Sequence, residues 1–164
     1  PADSSSPAVN LRDPVLILER EVLKVKLQMP EMASEWDHLE KNVFSYWAYH
    51  QLRTEIDSHQ DAVGLIDIEK LRADSPSEEI RTLITELLVE PIRTDREVSE
   101  RYIGSIFARL REVALSRSIA EVKSTLQRLN PVENEELYQK TFTELVAMEA
   151  ARRTQRELAT GDLG

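Results

Sequence analysis

The side chains whose types and spacing could do chemistry are His50, Glu55 and His59. Glu55 and His59 stand four residues apart, so on a helix they share a face, as two ligands of a metal site do. His50 falls off that face, and two ligands do not complete a zinc site, so a solvated helix is the expectation and an α-helical metal enzyme or hydrolase has only this pair behind it. The sequence has no cysteine, which excludes disulfides, thiolate-held metals and a cysteine nucleophile. It shows no glycine-rich phosphate loop and no serine nucleophile turn. Glu78-Glu79 reads as charge at a helix start, so no catalytic residue, cofactor or metal is expected.

Charge argues for a protein partner. The formal net charge is −9, and residues 1–92 carry 9 Lys and Arg against 18 Asp and Glu, whereas residues 93–164 carry 12 of each. An acidic body repels phosphate backbones. Arg109, Arg111, Arg117, Lys123 and Arg128 could form a basic strip, but they lie on different helical faces and are interleaved with Glu112 and Glu121. Specific nucleic-acid binding is therefore not expected.

The elements that must position any site are helical, because Gly is scarce at 4 copies and apolar residues recur at helical steps. The fold class predicted is all-α: a globular helical body joined through a long stalk helix to a C-terminal antiparallel helical hairpin. Residues 1–12, rich in Ser, Pro and Asp, read as a flexible linker of a domain cut from a longer chain. Residues 13–112 are assigned to the body, 113–160 to the hairpin and 161–164 to a tail. No apolar run is long enough to span a bilayer and no signal peptide is apparent, so a cytoplasmic protein is expected.

Asp13-Pro14 supplies a cap and a first-position proline for a helix that Pro30 ends, with a broad stripe of Val15, Leu18, Val22, Val25 and Met29. Short helices are expected between Trp36 and about Ser58, a brief one in the DIEKLRAD stretch, and another after Ser77 that Pro91 stops. From Arg96 to Leu129 runs a stretch with no proline, about 50 Å as one helix, longer than a body of this size can flank. Its later apolar residues, Leu115, Ile119, Val122, Leu126 and Leu129, step 4, 3, 4, 3, the pattern of a seam against one partner helix. Asn130-Pro131 breaks the chain, and Glu133 to about Thr160 is expected to fold back with Tyr138, Phe142 and Leu145 against the first helix.

A separate row, Gln139, Thr143, Val146, Ala147, Ala150 and Thr154, contains no charge in a chain that is 31% charged. Small uncharged side chains let another helix approach closely, so this row is the candidate docking surface. Arg152 and Arg153, with Arg156, could reach acidic groups on a partner or complement the dipole of their own helix end.

The run from Ile119 through Lys123, Leu126, Gln127, Arg128, Asn130 and Pro131 resembles the C-terminus of DnaG-type bacterial primases, as do Tyr138, Phe142, Glu144, Leu145, Glu149, Arg152 and Arg153 after it. Glu19, Arg20, Glu21, Leu23, Lys24, Leu27, Gln28 and Pro30 are similar to that family's first helix. The resemblance spans about residues 13–156, with no matching motif from Ala33 to Asp74. It implies a helicase-binding domain whose body is similar in fold to the helicase N-terminal domain and whose hairpin docks onto that domain of the DnaB-type replicative helicase. It implies recruitment of primase to the helicase and stimulation of the helicase, with single-stranded DNA-binding protein as a further partner, and it places catalysis in other parts of the primase. The rival reading from the residues alone is a helical dimerisation module in which the 115–129 seam pairs between chains.

Overall fold

The computed structural model describes residues 10–94 and 97–160. The expected start of the long helix at Arg96, the tail from 161 and most of the expected linker lie outside the described residues. The described chain is helical, and its single β-type contact is an isolated bridge between Gln60 and Ile66.

Helix α1 spans Pro14–Gln28, begun by Asp13, whose carboxylate accepts the Val15 N–H at 2.8 Å with Pro14 in the first turn. Single turns at Pro30–Met32 and Trp36–His38 lead to α2 (Trp47–His59), α3 (Ile68–Ala73) and α4 (Glu78–Val89). Ser77 Oγ accepts the Ile80 N–H and starts α4. Helix α5 spans Glu100–Arg128 and α6 spans Glu135–Thr160. α5 starts later than composition suggested because Ser99 caps it, its hydroxyl accepting the Tyr102 N–H at 3.1 Å. Its 29 residues make a rod of about 43 Å.

α1 is the centre of the body and packs against α2, α4 and α5. Val22, Leu23 and Val25 are fully buried among Trp36, Tyr49, Leu52, Ile84 and Phe107. Each such aliphatic side chain contributes roughly 1.5–3 kcal/mol by leaving water. Because α1 has neighbours on all sides, its charged residues are buried too, and each is given partners. Glu21 pairs with Lys24 at 3.1 Å and accepts the Arg93 N–H. Glu19 accepts the Ser45 N–H, and burial raises its pKa from the ordinary glutamate value. Lys26 donates to the Gly64 carbonyl at 2.9 Å and sits 5.6 Å from the centre of the Trp36 ring. Gly64 has φ 83°, and an added Cβ there would stand 3.3 Å from the Lys26 Nζ, so glycine at this turn serves both backbone and lysine. Gln28 donates to the carbonyls of Leu87 and Glu90, tying α1 to the end of α4.

The first half of α5 closes this core through Ile103, Ile106, Phe107 and Leu110, with Val113 and Ala114 packed against its edge. Further along, Arg111 donates to the Glu35 carboxylate at 2.8 Å and Arg117 to the Val43 carbonyl at 2.8 Å. Two of the arginines of the supposed basic strip therefore hold body loops.

Candidate interaction surface

α6 runs antiparallel to α5. Lys123 lies 3.5 Å from Glu149, and Arg156 donates to Glu112 at 2.8 Å. Ala159 and Thr160 line one small cavity with Ser99 and Tyr102, so the pairing continues past residue 113 to the N-terminal end of α5. The reversal is held by Asn130, whose side chain accepts the Val132 N–H at 2.9 Å and whose carbonyl accepts the Asn134 N–H. Pro131 stands inside that turn, and α6 begins two residues after the expected Glu133.

Toward the end of α5 the shielded positions include Leu115, Ile119, Val122 and Leu126, followed by Leu129 at its cap, with Ile119 at 2% exposure. On α6 the shielded positions include Tyr138, Thr141, Leu145, Met148, Arg152, Gln155 and Ala159. These step 3, 4, 3, 4, 3, 4, the register of one helix lying along another. The α5 seam is thus covered by α6 of the same chain, the surface on which the rival dimerisation reading depended.

Two expected roles change. Phe142 does not face α5; it is 47% exposed, and the seam position beside it is taken by Thr141, which is 8% exposed. The reason is register: counting back from Leu145 by four and then three reaches Thr141 and Tyr138, leaving Phe142 a quarter-turn outside. Arg152, expected to be presented to a partner, is half-buried in the seam row, whereas Arg153 beside it is exposed.

The uncharged row is on the other side. Gln139, Thr143, Val146, Ala147, Ala150 and Thr154 are all exposed, and at about 100° per residue they centre roughly opposite the seam. The Thr143 and Thr154 hydroxyls donate back to the Gln139 and Ala150 carbonyls, so their polarity is turned toward their own helix. Phe142 flanks this row, Val146 within it is 51% exposed, and Leu137 and Val132 near the turn are 50% and 86% exposed. The result is a weakly polar strip on an exposed helix, with Phe142 at its edge.

His59 and Glu55 are engaged in hydrogen bonds of the body. His59 engages Asp74 at 2.8 Å through Nε2 and the Glu55 carbonyl at 2.7 Å through Nδ1, while the Glu55 side chain accepts from Gln51. Among the described residues no group of His, Cys, Asp and Glu is placed to hold a metal ion, and no helix is long and apolar enough to cross a membrane. What sequence reasoning missed is the aromatic cleft beside Trp47, described below, because its walls come from α2 and α4, far apart in the chain.

Comparison with known proteins gives a consistent result. A solved structure, the helicase binding domain of primase from Mycobacterium tuberculosis, is similar with a TM-score of 0.69 and 41% identity, over 90% of this chain and 94% of that one. The DNA primase of Mycobacterium leprae is 42% identical over 167 aligned residues, covering 99% of this chain and 26% of that protein. The DNA primase of Streptomyces coelicolor is 34% identical over 79% of this chain and 22% of its own length. The chain thus spans about a quarter of the length of these relatives. The model of the family described as DNA primase DnaG DnaB-binding matches residues 19–141, from the buried charged helix α1 through the seam of α5 and into α6, and the chain belongs to that family.

Proposed function

We propose that this chain is the region through which a bacterial primase binds the DnaB-type replicative helicase, and that the outer strip of α6 is where the helicase docks. The observation that carries the surface assignment is the row from Gln139 to Thr154: exposed, uncharged, and on the side of α6 away from α5. A partner helix can approach such a row closely without burying unpaired charge. Arg153 at its edge adds a charged contact, whereas Arg152 lies in the seam row. No bond is made or broken in this region; primer synthesis belongs to the rest of the primase, and this part recruits it to the helicase and stimulates unwinding in the cytoplasm.

On this reading the body, 13–112, and the hairpin, 113–160, divide the work, the body holding the base of α5 while the hairpin presents the strip. Single-stranded DNA-binding protein is a second proposed partner, and the acidic body offers no evident cradle for its acidic tail.

Calorimetric titration with the hexameric helicase tests the proposal. Heat of binding is expected from the intact chain and none from one lacking residues 132–164. Normal binding by the shortened chain would refute the assignment to the hairpin.

A further inference from the structure

A second surface lies on the body, between α2 and α4. Tyr46 caps α2 in an extended conformation, which places Trp47 at the first helical position, where the residue is 55% exposed. The other tryptophan, Trp36, is 1% exposed and belongs to the core. Tyr46 supports Trp47 edge-on at 6.0 Å and is itself braced by Tyr49 at 4.8 Å. Facing this aromatic shelf across a cleft of about 480 Å³ is one side of α4, bearing Glu78, Glu79 and Glu86, and Leu11 lines the same cleft at 57% exposure.

Isolated exposed apolar residues need no explanation; here a tryptophan, a tyrosine and a leucine line one cleft with three glutamates of α4. The cation within the cleft, Arg20, is already committed to Glu86, Glu90 and the Tyr49 hydroxyl. Glu78 holds Arg81 of its own helix in a solvent-facing pair, the kind that exchanges at little cost. The face of an indole ring and carboxylates opposite it are the two environments that favour a lysine or arginine head. A nucleic-acid base could stack on Trp47, but its phosphates would meet the glutamates.

We propose that the Trp47 cleft docks a basic segment of a protein partner, inserting a lysine or arginine between the indole ring and the α4 glutamates while an apolar neighbour covers Leu11. The site is independent of the α6 strip and does not rest on that assignment.

Anisotropy of a labelled peptide of lysine, leucine and alanine, titrated with the whole chain, provides the test. Saturable binding is expected that weakens with salt, falls about fivefold for Trp47→Ala and about tenfold for Glu78→Lys with Glu79→Lys. Ala147→Glu with Ala150→Arg should leave it unchanged, and melting curves confirm that each variant is folded. A peptide with glutamate in place of lysine, or a single-stranded oligonucleotide, should not compete. No binding of the basic peptide, binding indifferent to the α4 charge reversal in folded protein, or competition by the oligonucleotide would each overturn the proposal.

Discussion

Arg156 Nε donates to Glu112 Oε1 at 2.8 Å across 44 residues of sequence, and this pair ties the returning helix to α5 at the point where α5 leaves the body core. It marks a hairpin whose second helix does not stop at a projecting tip but runs back beside the body. The strip opposite the seam is therefore presented along a braced rod.

Bracing comes mainly from the apolar seam. The arginine is 60% exposed, so Arg156→Ala should cost no more than about 1 kcal/mol. Leu145→Ala, at a seam position, should cost about 2 kcal/mol or more. Hydrogen exchange should show the α6 amides losing protection in the leucine variant and keeping it in the arginine variant.

The buried pair inside α1 gives a sharper contrast. Glu21 and Lys24 side chains are 5% and 3% exposed. Glu21→Ala leaves Lys24 with Glu90 at 3.3 Å and the Pro91 carbonyl but takes the acceptor from the Arg93 N–H, and urea denaturation should show a loss of about 1–3 kcal/mol. Glu21→Gln, which keeps an oxygen for that N–H, should recover most of it, and an equally unstable Gln variant would contradict the role given to the Glu21 acceptor.

His59 should make stability depend on pH. Its hydrogen bond to Asp74, then that to the Glu55 carbonyl, raises its pKa above the ordinary histidine value. A raised folded value means the stabilisation is complete below about pH 6.5, where the unfolded histidine is also protonated. It fades as pH rises through the folded value. Melting temperatures of the wild type and His59→Gln should differ most at mildly acidic pH and converge as pH rises past the raised folded value.

Much of this architecture can be read from local signals. Asp13-Pro14, Ser77 and Asn130-Pro131 are chemical punctuation, and the 4, 3, 4, 3 stepping from Leu115 to Leu129 announces a single partner helix. Three features resist such reading. Glu19, Glu21, Lys24 and Lys26 look like a solvent face of α1, because their burial depends on loops and helices distant in sequence. Phe142 outranks Thr141 by hydrophobicity, yet the register of α6 on α5 is set by the whole row and gives the seam to the threonine. The outer strip of α6 is legible as a lack of charge, whereas the Trp47 cleft is not, since Glu78, Glu79 and Glu86 stand opposite that ring only after α2 and α4 have packed.

Titration of the hexameric helicase with wild type and with Ala147→Glu plus Ala150→Arg addresses the docking strip most directly. Both substitutions lie on the side of α6 away from α5, so circular dichroism and melting should be unchanged while the heat of binding disappears. Undiminished binding by the folded double variant would contradict the account.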